Sequence, residues 1–352
     1  MKKVLVFLFS FVIGLGLFFL VVEWVGWKEI KEILFAFSGW KGSVILGITL
    51  LIWLINIWKY KFIFKSQGYN FSVWSLGEIL FASFAVAYLF PTAYFGGEAF
   101  KAYAIKKKFF LSWKISLAII AIEKLLSASV IFLFLVVGAV SFLLLSNLPL
   151  KNFGIIALVL IGSLAVGLTI FYFKSFKKES ILNPVRDTFF FRFLSFLGIS
   201  NGVKWFFRFF GVKSGKNHLA GEIEKEVFRF FDFKKKLMWK GLGISFLKYF
   251  LALIRCWFLI LFLKGEINIL IALAVLFFIY LAYVFPFPAK MGSLEATQVF
   301  VFSSLGLGAA AGVTFSFILR GAEILIALFG FIFLVKLGIK FFIQEQIKKV
   351  AP

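Results

Sequence analysis

Residues 115–145 read ISLAIIAIEKLLSASVIFLFLVVGAVSFLLL, and within this run only Glu123 and Lys124 are charged. A helix rising 1.5 Å per residue needs roughly 20 apolar residues to cross a hydrocarbon core of about 30 Å. The run is therefore long enough to span a bilayer. Comparable apolar runs occur at about 4–22, 43–58, 153–173, 241–263, 268–285, 296–319 and 321–340. The whole chain is 62% hydrophobic and 16% charged, with a mean hydropathy of +1.02. A soluble core of this size could not hide so much apolar surface, so lipid must be the solvent for most of it. The sequence predicts an all-α polytopic membrane protein with about eight spanning helices plus re-entrant or broken helices. The expected organisation is one integral membrane domain, 1–352, built as an inverted repeat.

The net charge of +23 does not point to nucleic acid, because the basic residues sit between apolar runs and not on a polar domain. They report topology instead. Lys2 and Lys3 precede the run Val4–Val22, which resembles a signal sequence without a small-x-small cleavage site and reads as a retained anchor. The apolar stretch 76–95 has Lys59, Lys61 and Lys65 before it and Lys101, Lys106, Lys107, Lys108 and Lys114 after it. Both flanks read as cytoplasmic, so 76–98 is expected to be a re-entrant hairpin. The segment Glu23–Lys41 and the loops near Lys151 and Lys264 are close to neutral and read as external. The protein is thus expected in the cell (cytoplasmic) membrane as a multi-pass chain with both termini cytoplasmic. A second reading stays open after Lys264: 268–295 as a hairpin entering from outside, with the C-terminus outside too.

A first helical half, 1–173, and a second, 241–352, are joined by 174–240, which carries 15 lysines or arginines against six acidic residues. Phe189, Phe190, Phe191, Trp205, Phe206, Phe209 and Phe210 interrupt it. Such a segment fits cytoplasmic helices in the headgroup plane, and equally a packed helical linker. Ile223, Val227, Phe230 and Phe231 form one apolar helix face, with Glu222, Glu224 and Glu226 early and Lys234, Lys235 and Lys236 late, as the helix dipole favours.

Two stretches share one grammar. Residues 90–103 read FPTAYFGGEAFKAY, and 285–296 read FPFPAKMGSLEA. In each a proline ends a helix, glycines free the backbone, and a glutamate follows seven residues after Pro91 or Pro288, as Glu98 or Glu295. A helix broken at membrane depth, here at 286–295 in the second half, leaves backbone groups that lipid cannot satisfy. Paired interruptions in two halves point to an inverted-repeat transporter with its site at the broken ends. New helix N-termini there would suit an anionic headgroup.

Charges inside apolar runs are costly and need partners. Glu123 and Lys124 point to different helix faces, so each requires a partner on another helix. Lys248 and Arg255 share a face of the next half, and Arg320 and Glu323 fall between the last two runs. One interior network of Glu98, Lys101, Glu123, Lys124, Lys248, Arg255, Glu295 and Arg320 is expected between the halves. Glu78 reads as a helix cap, and Lys336 and Lys340 as lysines snorkelling to the surface.

At these residues the chain resembles a flippase-like membrane family. That family includes the transmembrane half of lysylphosphatidylglycerol synthases and the membrane region of an archaeal dolichol-phosphate glycosyltransferase. The matching positions are Pro91, Gly96, Gly97, Glu98, Lys101, Ala102 and Tyr103; the buried pair Glu123 and Lys124; Pro286, Pro288, Ala289, Gly292 and Glu295; and Arg320. Lys124 stands where the family usually has arginine, and Lys290 where glycine is common. The resemblance implies translocation of an anionic, aminoacylated or polyprenyl-linked (glyco)lipid between leaflets, in a chain lacking the relatives' soluble synthase domain.

The residues themselves leave three functions open. A lipid flippase or lipid-transport protein would use Pro91, Gly96, Gly97, Glu98, Lys101, Glu123, Lys124, Lys248, Arg255, Pro288, Gly292, Glu295 and Arg320 for substrate binding and translocation. A non-catalytic membrane partner would position a separate lipid synthase or glycosyltransferase. A membrane-embedded transferase would need Glu98, Glu123 or Glu295 as a base, with no nucleophile constellation or nucleotide loop beside it. A single Cys256 and a single His218 supply no ordinary metal site or disulfide. No cofactor is called for, and the expected partners are membrane lipids with an anionic headgroup.

Overall fold

The computed structural model describes Glu23 and residues 39–89, 93–146, 150–177, 216–232, 236–265, 268–283 and 292–350. The expected anchor at 4–22, residues 178–215 of the connection, and Pro91, Pro286 and Pro288 lie outside the described residues. Ten helices are described: α1 Trp40–Ser66, α2 Val73–Leu89, α3 Ala93–Phe109, α4 Trp113–Leu145, α5 Leu150–Lys177, α6 Lys216–Phe230, α7 Lys236–Lys264, α8 Ile269–Ala282, α9 Ser293–Ser304 and α10 Ala309–Val350. Among them α1, α4, α7 and α10 are long and apolar enough to cross a membrane, and α2 and α8 are shorter apolar helices. The protein is an all-α polytopic membrane protein.

Helix boundaries follow local chemistry. The Ser112 side chain accepts from the Ile115 amide at the start of α4, and Asn268 does the same for Leu270 at α8, each filling one of the orphan donors of a first turn. Gly306 and Gly308 adopt φ +73° and +87°, a region that side-chain-bearing residues rarely enter. They split the expected 296–319 run, giving its first part to α9 and its second to the 42-residue α10. α8 and α9, at 14 and 12 residues, are too short to cross. They form a second hairpin, closed near its tip by Ser293 donating to the Ala282 carbonyl at 3.5 Å.

The contacts define two interlocked halves, α1–α4 and α7–α10. α1 and α7 run antiparallel: the Trp40 ring meets Phe262 at 5.0 Å, Thr49 meets Arg255, and Asn56 meets Lys248. α2 turns back along α1, with Trp53 stacked on Phe81 at 4.8 Å. α8 turns back along α7, with Tyr249 against Tyr280 at 6.1 Å. The first hairpin, α2–α3, therefore opens at the end where α1 finishes, and the second opens at the opposite end. The first arm of each hairpin packs on the last helix of the other half, α2 on α10 and α8 on α4.

Both crossings rely on a missing side chain. A Cβ on Gly138 of α4 would sit 2.5 Å from the Leu273 carbonyl of α8, and one on Gly330 of α10 would collide with the Phe81 carbonyl of α2. Small residues of this kind let membrane helices approach closely where lipid offers no hydrophobic drive for association. Two apolar clusters result. One gathers α8 and α9 with α7, the second half of α4 and the start of α10. The other gathers α2 and α3 with α1, the first half of α4, α6 and the far part of α10.

The end where α1 finishes is basic, with Lys65, the run Lys106–Lys108, Lys114 and Lys240. The far part of α10 returns to this end, where Lys336 meets Glu78 and Phe341 packs on Tyr103. The chain after Lys264 thus has the hairpin of the second sequence reading, and α10 then runs back to the end that holds Lys65. The apolar face of α6 faces protein: Phe230 and Phe231 are buried, with Phe231 5.0 Å from Phe171 and Glu226 paired with Lys114 at 3.1 Å.

Candidate functional site

The middle of α1 carries Asn56, Lys59 and Tyr60, and Lys59 is completely buried. Sequence reading assigns Lys59 to a cytoplasmic flank. The structure corrects this, because α1 continues to Ser66 and carries Lys59 inward against α4. Its ammonium lies 2.6 Å from Glu123 Oε1 and 2.8 Å from Ser127 Oγ, and Ser127 donates to the same carboxylate at 2.7 Å. A buried lysine left unpaired would be costly, so the triangle makes this placement tolerable.

Around it the two halves contribute further charges. Lys101 of α3 donates to both Glu98 oxygens at 2.9 Å and to the Tyr60 hydroxyl at 3.0 Å. Lys124 reaches Glu98 at 2.8 Å and lies 4.0 Å from Glu123. Lys248 arrives from α7, donating to Asn56 Oδ1 at 3.0 Å with its charge 5.0 Å from the Tyr249 ring centre. This first group therefore holds four ammonium groups and two carboxylates. Lys248 is held by a neutral amide and an aromatic face. Its surplus positive charge in low-dielectric surroundings suits an anion.

A second group sits at the other hairpin. Arg320 of α10 contacts the Glu295 carboxylate of α9 at 2.7 Å, and Glu295 also accepts from the Gly292 amide at 3.0 Å. Tyr283, at the end of α8, donates to Glu323 at 2.9 Å. Arg255 reaches across the seam to Thr49 at 3.2 Å. Among the described residues, the buried hydroxyl of Tyr88 and both amide atoms of Gln298 have no hydrogen-bond partner.

The pairs Glu98–Lys124 and Glu295–Arg320 are equivalent under the repeat: each joins the second arm of a hairpin to the helix that follows it. The rest of the two motifs is not equivalent. α3 begins at Ala93, so Gly96, Gly97 and Glu98 lie inside a helix and do not open one. Gly97 serves packing, since a Cβ there would sit 2.8 Å from the Ser83 carbonyl of α2. The α9 N-terminus, read from sequence as a free anion site, already holds an intrinsic anion. Glu295 in the third helical position caps Gly292, one half of a capping box.

The expected single network therefore separates into two groups. Glu98, Lys101, Glu123, Lys124 and Lys248 join the first, and Glu295 and Arg320, with Gly292, join the second. Arg255 lies on the seam near Thr49. Pro91 and Pro288 fall outside the described residues. Sequence reading missed Asn56, Lys59, Tyr60 and Ser127 in the first group and Tyr88 and Tyr283 in the second. One signal was available: Thr49 and Asn56 are spaced seven apart on α1, as Lys248 and Arg255 are on α7. Glu78 is no simple cap, for it pairs with Lys108 and, at 2.6 Å, with Lys336. That ion triad ties α2, α3 and α10 together at the basic end, and Lys336 is thereby a partner and not a free surface lysine.

A family model described as "Lysylphosphatidylglycerol synthase TM region" matches residues 7–330. A curated relative, "UPF0104 membrane protein MJ1595" of Methanocaldococcus jannaschii, is 20% identical over 319 residues, covering 89% of this chain and 88% of its own. No solved structure matches.

Proposed function

Because the chain belongs to the lysylphosphatidylglycerol synthase transmembrane-region family, we propose that it moves an anionic, aminoacylated or polyprenyl-linked lipid between leaflets, holding the headgroup at the first charged group. The observation that carries this reading is the imbalance of four lysines against two glutamates at mid-helix positions of α1, α3, α4 and α7. Two hairpins that open at opposite ends supply what alternating access needs, a central site flanked by similar halves. The basic end is the cytoplasmic face, following the bias of lysine and arginine toward that side, in the cell membrane.

Lys248 gives the cleanest test, because its removal strands no carboxylate. In proteoliposomes, Lys248→Gln is expected to slow leaflet exchange of labelled anionic lipid about tenfold or more with an unchanged melting temperature. Exchange at the wild-type rate would remove the first group from the path. Folded wild-type protein that exchanges no anionic lipid would shift the assignment to the non-transporting reading, a membrane partner for a separate lipid synthase or glycosyltransferase.

A further inference from the structure

At the basic end the α1–α7 seam opens into a groove of about 730 Å³. That size falls in the roughly 300–1,000 Å³ range of ligand sites. Its walls are apolar, with Trp58 and Phe62 from α1 and Leu247 from α7, and its mouth carries Lys65 and Lys240, one from each helix. Trp58 and Leu247 are 53% and 41% exposed, so the groove faces outward along its side, as an acyl chain entering from a leaflet would require.

The two lysines differ from those of the buried groups. Among the described residues neither the Lys65 nor the Lys240 side chain makes a hydrogen bond or ion pair, and both are exposed. An apolar trough ending in two unneutralised ammonium groups is complementary to one kind of molecule, a hydrocarbon chain attached to an anionic phosphate. The groove lies on the same α1–α7 seam as the site already described. Lys248 and Asn56 follow it along the same seam, with Arg255 and Thr49 beyond them.

We propose that this groove binds an anionic glycerophospholipid drawn from the leaflet at the basic end, its phosphate between Lys65 and Lys240 and one acyl chain against Trp58, Phe62 and Leu247. The site deepens the transport reading, on which its role as a loading position rests. Its existence as a binding site does not depend on transport.

The test uses the full chain in detergent, with equimolar phosphatidylglycerol and phosphatidylcholine as probes and native mass spectrometry to count retained lipid. A basic side chain near an anionic lipid surface contributes a factor of about five, so the wild type should retain phosphatidylglycerol roughly 25-fold over phosphatidylcholine. The double variant Lys65→Ala/Lys240→Ala should bring that ratio close to one. Gly243→Phe should lower retention of both lipids several-fold by filling the trough. A Cβ at Gly243 meets nothing within 4 Å, so the substitution is compatible with the fold. Retention unchanged from wild type in either variant would overturn the assignment. Leaflet exchange measured on the same preparations separates the two ideas: groove-dependent phosphatidylglycerol retention without exchange in the wild type leaves the groove standing and removes transport.

Discussion

Lys59 illustrates how a residue's surroundings outweigh its type. It is a lysine on a helix whose neighbours Lys61 and Lys65 occupy the basic end, yet it is fully buried and bound to Glu123 and Ser127. Replacing one partner of such a pair leaves the other charge buried and uncompensated, at a cost of about 3–5 kcal/mol. Lys59→Met is therefore expected to lower the melting temperature sharply in detergent. Adding Glu123→Leu should restore most of the loss, since replacing both charges by apolar groups removes the uncompensated ion. A double variant as unstable as the single would show that the pair is not what holds α1 to α4. Glu123 was identifiable from sequence because it interrupts a long apolar run. Lys59 was not, because it falls at the edge of one, where only the continuation of α1 to Ser66 decides which way it points.

The helices were largely legible from apolar run length, and their joints were not. The run at 115–145 corresponds to α4, and the stretch expected to re-enter corresponds to α2 and α3. The hairpin of the second half stood only as the second of two readings, because its arms have the hydropathy of spanning helices and the two left-handed glycines after Ser304 are what divide α9 from α10. Contacts between helices depend on features too small to stand out in sequence, a single glycine in each case. Gly138→Val is expected to destabilise by about 1–3 kcal/mol, because the backbone of α8 cannot move aside. Gly162→Val on α5, where a Cβ meets nothing within 4 Å, should change stability by less than about 0.5 kcal/mol. Thermal unfolding of the two variants side by side reads the difference, and equal effects would rule out a close α4–α8 crossing.

At the scale of the whole molecule, the antiparallel seam of α1 and α7 places the ends of the helices on two sides. Asn70 and Lys340 belong to the basic end, whereas Trp40 and Lys264 belong to the opposite one. Single cysteines at these four positions, in a Cys256→Ala background, should divide into two pairs when intact cells are treated with a membrane-impermeant maleimide. Trp40→Cys and Lys264→Cys should react, and Asn70→Cys and Lys340→Cys only after permeabilisation. Labelling of Lys264→Cys together with Lys340→Cys would contradict the return of α10 to the basic end.

Composition and apolar run length alone establish that this protein is helical and lives in lipid, near which motifs the chain turns, and which mid-run charges would need partners. Those properties are written along the chain, because a hydrocarbon solvent demands long apolar runs and makes each exception visible. The packing of the helices settles who those partners are, that the charges form two groups and not one, and which of the two readings of the chain after Lys264 supplies the hairpin. Lys59 and Glu123 are 64 residues apart, and Lys248 and Asn56 are 192 apart. Pairings at that range are selected by how the halves interlock, through glycine crossings and an antiparallel seam, which no local pattern of residues records.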